Sequence, residues 1–259
     1  MNLFSNEKFA QFWNSISGKH GQTYKEYVLD PEMLRLAKSI KGKVILDLGC
    51  GNGYMGPTFI KKGAKKVFLA DISIHNLQNA RNLNASKKVE FVQLDATRRW
   101  KFKPKLFDLI YSDMMLNEVE NIRTPIAEAY RTLKTGGMFV VAVTHPNWDL
   151  FEFATQKATG KSSTILKGVQ NYFFRGFTKF LMGTDSLKPK SGEEYQNIFE
   201  LEHYQRPFED YFNQLTRVGF VVETVSEPPL NERILKDFPG YEALKDCPIG
   251  LVFVAKKTK

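Results

Sequence analysis

A glycine-rich stretch, Gly49-Cys50-Gly51-Asn52-Gly53, directly follows the apolar run Val44–Leu48. Glycine has no Cβ, so its backbone N–H groups can lie against a ligand at such a strand-to-helix turn. The residues Gly51-Asn52-Gly53-Tyr54-Met55-Gly56 also satisfy the dinucleotide pattern G-x-G-x-x-G. Asp71 follows Gly51 by twenty residues, where a ribose-binding acid is expected. The turn taken alone leaves a nicotinamide or flavin enzyme open as an alternative.

Two further acids distinguish the possible ligands. Asp47 lies inside the first apolar run, where an ionised carboxylate is costly to bury unless a cation or a hydrogen-bond donor meets it. A pyrophosphate would repel this carboxylate, whereas a cofactor with an ammonium and a sulfonium group would pair with it. Asp95 and Ala96 end a third apolar run, where the acid can accept a hydrogen bond from an adenine amino group.

Histidines are the first candidates for a proton acceptor. His145 follows the fifth predicted strand at the carboxyl edge of the sheet, where open α/β sheets bind ligands, and it is the preferred catalytic base. His203 precedes the last predicted helix and is the second candidate. A structural or substrate-orienting role is the alternative for both. Asp113, Asn117 and Glu118 could orient a substrate, although solvated residues at a helix start would give the same pattern.

The elements that must position these residues alternate along the chain. Strands are predicted at 44–48, 67–70, 89–94, 106–112, 138–143, 220–226 and 249–255, and helices at 74–83, 124–133 and 208–217. This alternation predicts an α/β fold with a mostly parallel sheet and helices on both faces. No crossover helix is predicted between the last two strands, which favours an antiparallel final strand.

The sequence predicts that the chain is divided into three structural regions. Residues 1–40 form an N-terminal helical cap, 41–149 and 206–259 form the core, and 150–205 form an inserted lid or substrate segment. Aromatic residues in the insertion could line a pocket or form a small core of their own: Tyr172, Phe173, Phe174, Phe177 and Phe180. Arg175 and Arg206 could bind a carboxylate or phosphate of the methyl acceptor. Three aromatic residues of the cap could close over the acceptor: Trp13, Tyr24 and Tyr27.

Composition and charge exclude several classes of protein. The net charge is +9, but the lysines are spread out, which favours a solvated basic surface over a nucleic-acid partner. The 2 cysteines and 4 histidines show no metal-ligand spacing, so no metal is expected. No apolar run reaches the roughly 20 residues of a membrane span, and the N-terminus lacks a secretory signal. A cytoplasmic protein without a membrane partner is expected.

Taken together, these motifs resemble those of class I S-adenosylmethionine (SAM)-dependent methyltransferases. The five motifs of that family match, in its order and usual spacing, Leu46-Asp47-Leu48-Gly49-Cys50-Gly51-Asn52-Gly53, Leu69-Ala70-Asp71-Ile72-Ser73, Gln93-Leu94-Asp95-Ala96, Phe107-Asp108-Leu109-Ile110-Tyr111-Ser112 and Leu133-Lys134-Thr135-Gly136-Gly137. The resemblance implies a Rossmann-like sheet of seven strands, mostly parallel with an antiparallel last strand, and SAM as the cofactor.

The resemblance also implies nine cofactor-binding residues. Their expected contacts are the methionine part of SAM (Asp47, Gly49, Gly51), the ribose (Asp71), the adenine (Ile72, Asp95, Ala96) and the cleft near the sulfonium (Ser112, Met114). For Asp71 and Asp95 the alternative is N-capping of a helix that follows a strand.

The predicted activity is methyl transfer from SAM to an oxygen or nitrogen of a small molecule by in-line displacement. Alignment can supply most of the acceleration, so an obligatory base is not required. The alternative is an RNA or protein methyltransferase whose basic insertion binds its partner, although the chain has no recognisable RNA-binding module. Enzymes that methylate the amino groups of adenine or cytosine commonly carry an Asn/Asp/Ser-Pro-Pro-aromatic loop after the fourth strand. The corresponding residues here, Ser112-Asp113-Met114-Met115, include no proline, which disfavours that activity. A non-catalytic SAM-binding protein would require a blocked cleft.

Overall fold

The computed structural model describes residues 6–147, 172–182 and 199–259. Its main feature is a seven-stranded sheet in the order β3-β2-β1-β4-β5-β9-β8. Strands β1 to β5 pair in parallel, and β9 runs antiparallel to both β5 and β8. The predicted fold class is confirmed. The strands within these described ranges are β1 (Val44–Leu48), β2 (Lys66–Asp71), β3 (Val89–Gln93), β4 (Phe107–Asp113), β5 (Leu133–Thr144), β6 (Gly176–Met182), β7 (Phe199–Gln205), β8 (Phe220–Ser226) and β9 (Gly250–Lys257).

Helices cover both faces of this sheet. The inner strands are almost continuously apolar because alternate side chains point into two different cores. Ile45 belongs to the core beneath α2, α3 and α4, whereas Leu46 belongs to the core beneath α5 and α6. The helices are α1 (Glu7–Ser17), α2 (Asp30–Leu36), α3 (Met55–Lys61), α4 (Ile74–Leu83), α5 (Arg123–Thr132), α6 (Phe208–Val218) and α7 (Glu232–Asp237).

Three shorter helical turns complete the described part. A π-helical turn, Lys25–Leu29, runs directly into α2, and 3₁₀ turns span Leu116–Glu118 and Pro239–Leu244. The π turn places the side chain of Lys25 against the carboxyl end of β4, where it contacts Asp113. No helix among the described residues is long and apolar enough to cross a membrane.

The connection between β8 and β9 differs from the sequence prediction. It contains α7 and a 3₁₀ turn, whereas no helix was predicted between these two strands. The side chain of Asn231 accepts a hydrogen bond from the backbone N–H of Ile234 and so caps α7, and the side chains of Ile234 and Leu244 are buried in the core. The last strand is antiparallel nonetheless, because β9 enters the sheet between β5 and β8.

The insertion contributes a second, two-stranded sheet. β6 and β7 pair antiparallel, from Gly176 opposite Gln205 to Met182 opposite Phe199. Residues 150–171 and 183–198, where much of the predicted lid or substrate segment falls, lie outside the described residues. The side chain of Phe180 lies outside them too. Phe173, Phe174 and Phe177 are exposed, so these three rings neither form a core nor line the cavity described below.

Candidate functional site

A cavity of about 390 Å³ opens at the carboxyl ends of β1, β2 and β4. β1 lies between β2 and β4, so the chain reverses its direction across the sheet at this point. In open α/β sheets such a switch point leaves a crevice between loops that turn to opposite faces. Helix α1 forms one wall, where the half-buried ring of Trp13 lines the cavity beside the glycine turn.

The glycine turn adopts a conformation that requires glycine. The φ angles of Gly49 and Gly51 are 77° and 55°, in the left-handed region. A Cβ at Gly49 would lie 2.5 Å from the Cβ of Met115, whereas one at Gly51 would lie 3.6 Å from Nε1 of Trp13. The turn therefore packs tightly on Met115 at its start and leaves room for a ligand at Gly51.

Asp71 is joined to this turn by hydrogen bonds. Its Oδ2 accepts from the backbone N–H of Gly51 at 2.9 Å, and its Oδ1 accepts from the N–H of Ser73 at 2.9 Å and from the side-chain amide of Asn76 at 3.3 Å. The N-cap of α4 is Ser73 and not Asp71. Burial raises the pKa of Asp71 against the lowering effect of these donors. Helix capping therefore does not account for Asp71.

Asp95 also lines the cavity without capping a helix. Its Oδ1 accepts from the backbone N–H of Thr97 at 2.9 Å and from the Thr97 hydroxyl at 2.6 Å, and its Oδ2 pairs with Nε of Arg98 at 3.1 Å. No helix follows it directly in the described chain. These contacts close a turn that keeps Asp95 and Ala96 at the wall of the cavity.

Asp47 is a buried carboxylate in the wall of the cavity. It is only 4% exposed, and no described residue donates a hydrogen bond to its side chain. Burial raises its pKa well above the usual range, the charges of Asp30 and Asp113 raise it further, and Lys25 lowers it. A buried carboxylate without a donor is a place for a cationic group of a ligand.

A buried network of acids and phenols lies next to Asp47. The Tyr111 hydroxyl donates to Asp30 at 2.6 Å, the Tyr54 hydroxyl donates to Asp113 at 3.2 Å, and the ammonium of Lys25 lies 3.1 Å from Asp113. Burial raises the pKa of Asp30 to about 8, and the charge of Asp113 adds to the effect. Sequence analysis missed Lys25, Asp30, Tyr54 and Tyr111, because their partners are distant in sequence.

The charges around the cavity indicate which ligands it can bind. Lys25 is the one basic residue among the lining residues that the structure describes. Buried oxygens of three lining residues also have no hydrogen-bond partner: Asp113 Oδ1, Asn52 Oδ1 and Asn76 Oδ1. The cavity therefore fits a cationic ligand with several hydrogen-bond donors, as SAM is, and would repel a pyrophosphate. Its carboxylates are those of Asp47, Asp71, Asp95, Asp113, Glu118 and Glu120.

Of the nine expected cofactor-binding residues, the structure brings eight to the cavity and leaves Ser112 out. The hydroxyl of Ser112 donates to the carbonyl of Leu48 at 3.0 Å and ties β4 to β1 within the sheet. Its side chain points away from the cavity because neighbours on a strand alternate sides. The eight that line the cavity are Asp47, Gly49, Gly51, Asp71, Ile72, Asp95, Ala96 and Met114.

Neither histidine predicted as a catalytic base lines the cavity. Nδ1 of His145 accepts from the backbone N–H of Asn147 at 3.1 Å, and Nε2 lies 2.9 Å from Glu227. Both ring nitrogens thus have partners that do not line the cavity, Asn147 in the loop after β5 and Glu227 directly after β8. His203 is buried on β7, and burial lowers its pKa to about 4. The carboxyl edge of the sheet is wider than the cavity, so a place near that edge does not by itself bring a ring to the lining. A catalytic role for His145 or His203 stays a prediction.

Two arginines that were expected to bind an acceptor have other partners. Arg206 is buried and donates to the carbonyls of Leu116, Val119 and Glu120 at 2.6–2.9 Å. It therefore supports the loop that carries Glu118 to the cavity. Arg175 is exposed and pairs with two acids at the start of α6, Glu209 and Asp210.

Other residues named from the sequence have mixed outcomes. Asn117 is buried, hydrogen-bonds the Thr144 hydroxyl and accepts from the backbone N–H of Thr144 at 3.2 Å. Asp113 and Glu118 line the cavity and are not solvated residues of a helix start. Among the predicted lid residues, Trp13 lines the cavity, whereas Tyr24 and Tyr27 do not.

Comparisons with known proteins agree with this geometry. The family model described as "methyltransferase domain" matches residues 45–137. The ubiquinone biosynthesis O-methyltransferase of Aliivibrio fischeri is 28% identical over 190 residues, 70% of this chain and 76% of that protein. The human arginine-hydroxylase NDUFAF5 is 31% identical over 99 residues, 38% of this chain and 28% of that protein.

Among solved structures, a SAM-dependent methyltransferase from Mesorhizobium loti superposes with a TM-score of 0.68. It is 21% identical, and the match covers 92% of this chain and 100% of that one. At that identity the likeness concerns the fold, which is shared over nearly the whole chain.

Proposed function

This chain is a class I SAM-dependent methyltransferase, and we propose that it methylates an oxygen or nitrogen atom of a small molecule bound in the same cavity. The observation that carries the proposal is the position of Asp47, buried at the cavity wall without a hydrogen-bond donor from the described protein. The cavity continues beyond the expected cofactor residues to Asp113 and Glu118, which leaves lined space for an acceptor.

The residues present fit the cofactor along its length. Asp47 would bind its ammonium group, Asp71 its ribose hydroxyls, and Ile72 and Ala96 its adenine. Gly51 would allow its methionine part to approach the backbone. When bound, SAM supplies a methyl group on a positively charged sulfur, which a nucleophile can displace in line.

The protein's contribution to the reaction is positioning and the exclusion of water. Trp13 from α1 and Tyr54 after the glycine turn cover the cavity from the side of the N-terminal helices. Asn52 holds this cover in place, because its side-chain amide donates to Asn14 at 3.0 Å and to the carbonyl of Gly18 at 2.8 Å. These contacts support a capping role for residues 1–40.

A small-molecule acceptor has two kinds of support. The ubiquinone biosynthesis O-methyltransferases among the relatives are named for such a reaction. The lining carboxylates would repel a phosphate backbone near the reacting atoms, which counts against RNA. A protein acceptor would need its side chain to enter a cavity that is already walled by α1.

The test is to incubate the protein with methyl-labelled SAM and separate small-molecule, RNA and protein fractions of a cell extract. We expect label to appear in the small-molecule fraction and to need the protein. An Asp47→Asn variant should abolish most of that transfer, whereas Glu90→Gln, an exposed carboxylate on β3, should not. Label that appears only in RNA or protein would contradict the proposal.

A further inference from the structure

The cavity holds more carboxylates than the cofactor accounts for. Three of its six lining acids belong to the expected cofactor contacts, and the other three are Asp113, Glu118 and Glu120. Lys25 is the single base that the described lining offers to balance them. The part of the cavity beyond the cofactor therefore has more carboxyl groups than Lys25 alone can neutralise.

Asp113 has one carboxylate oxygen for which the described protein supplies no partner. The residue is 8% exposed and lines the cavity. Its Oδ2 is occupied by Lys25 at 3.1 Å and by the Tyr54 hydroxyl at 3.2 Å, but its buried Oδ1 has no hydrogen-bond partner. An unsatisfied buried acceptor costs about 1–3 kcal/mol, and more when it is charged. This oxygen is therefore a place for a donor on a ligand.

The neighbouring acids resist further negative charge. Burial raises the pKa of Glu118 to about 8, with Lys25 lowering it, and the pKa of Asp30 is raised to about 8 as well. A cation placed among these groups would favour their ionised forms, whereas a phenolate or carboxylate would add to the repulsion. The charge pattern thus separates basic acceptors from acidic ones.

We propose, building on the proposed function, that the acceptor is a basic amine whose protonated nitrogen is bound by Asp113 and Glu118. An ammonium group carries enough N–H donors to reach Oδ1 of Asp113 and the carboxylate of Glu118 together. For transfer, an N–H bond breaks and its proton passes to Glu118. The freed electron pair on nitrogen forms the bond to the methyl carbon while the carbon–sulfur bond breaks, and that bond's electrons stay on sulfur.

The first test uses the unmodified protein, a small-molecule cell extract and SAM labelled with ¹³C in its methyl group. Proton–carbon correlation spectra distinguish a methyl group on nitrogen from one on oxygen. We expect the label on nitrogen. Label on oxygen would overturn the amine assignment and leave the proposed function standing, whereas label confined to RNA or protein would overturn the proposed function itself.

The second test measures binding without turnover. Benzylammonium chloride, benzyl alcohol and sodium benzoate are titrated calorimetrically into the protein saturated with S-adenosylhomocysteine. We expect the ammonium to bind at least about tenfold more tightly than either of the others, and Asp113→Asn to remove that preference. Glu90→Gln, which changes an exposed carboxylate on β3, is the matched control and should keep it.

One outcome separates the acceptor from the cofactor. S-adenosylhomocysteine should bind to Asp113→Asn within about twofold of its affinity for the unmodified protein, because Asp113 is assigned to the acceptor. An equal loss of affinity for both ligands would place Asp113 at the cofactor and overturn the proposal. Equal binding of benzylammonium and benzyl alcohol to the unmodified protein would also overturn it.

Discussion

The backbone N–H of Gly51 donates a 2.9 Å hydrogen bond to Oδ2 of Asp71, which joins the glycine turn after β1 to the acid that ends β2. The other oxygen of Asp71 accepts from Ser73 and Asn76 at the start of α4. The turn and the acid therefore form one unit, and a change in the backbone of the turn should displace Asp71 as well.

Alanine substitutions in the turn should have unequal effects. Both Gly49 and Gly51 have positive φ, but an added Cβ at Gly49 would also meet Met115 at 2.5 Å. We expect Gly49→Ala to lower the free energy of unfolding by about 2–4 kcal/mol, and Gly51→Ala by only about 1 kcal/mol. Urea unfolding measures both.

Gly136→Ala is the control for that comparison. Gly136 has a φ of 81° with open space around its Cβ position, so this variant isolates the cost of positive φ. Gly49→Ala should be less stable than Gly136→Ala. Equal stabilities for these two variants would show that the Met115 contact is unimportant.

Arg206 should be required for the loop that completes the cavity. Its guanidinium donates to three carbonyls between Leu116 and Glu120, so Arg206→Met should lower the free energy of unfolding by about 2–5 kcal/mol. Arg206→Lys should recover little of this loss, because a single ammonium lacks the planar fork of the guanidinium. Denaturant unfolding tests both variants, and full stability of the lysine variant would contradict the assigned role.

His145 should be dispensable for the chemical step. Both of its ring nitrogens are hydrogen-bonded outside the cavity. Loss of a general base costs roughly 10²–10⁴ in rate, whereas we expect His145→Gln to lower kcat/KM by less than about tenfold. Steady-state kinetics with the acceptor identified by ¹³C labelling would decide it. A loss of a hundredfold or more at unchanged stability would restore His145 as the base.

The stability of the unliganded protein should depend on the ionisation of Asp30. The folded protein raises the pKa of Asp30 from 3.8 to about 8, so it keeps a proton that the unfolded chain releases above about pH 4. The stabilisation from this group is complete below about pH 4 and is lost as the pH rises to about 8.

We therefore expect the free energy of unfolding to fall less steeply between pH 5 and pH 8 in Asp30→Asn than in the unmodified protein. The difference between the two slopes isolates Asp30 from the positive charge that the whole chain gains in acid. Glu90→Gln should leave the slope unchanged. A steeper fall in Asp30→Asn would mean that the sign of its pKa shift is wrong.

The sheet could be predicted from the sequence because its strands are short apolar runs bounded by glycines and acids. β1, α4 and β8 have the predicted bounds, and the remaining strands of the main sheet shift by a few residues. β5 differs most, since pairing of Leu133 with Phe107 extends it back to the end of α5. Helix α7 was missed because it is only six residues long.

From the sequence, a residue of the site could be predicted only where a local motif marks its position. Asp47, Asp71 and Asp95 each end or interrupt an apolar run, so their place at the sheet edge follows from the strand pattern. Lys25 reaches the cavity, and Asp30 reaches the buried network beside it, through tertiary packing, because the π turn brings them to residues more than eighty positions away. His145 shows the limit of that pattern, since a position at the sheet edge does not by itself imply contact with the cavity.

The most direct test is a calorimetric titration of the unmodified protein and of Asp47→Asn with SAM and with NADH. The unmodified protein should bind one SAM and bind NADH far more weakly. Asp47→Asn should lose at least about tenfold in SAM affinity because a buried carboxylate no longer meets the ammonium. NADH binding more tightly than SAM, or unchanged SAM affinity in Asp47→Asn, would contradict the account.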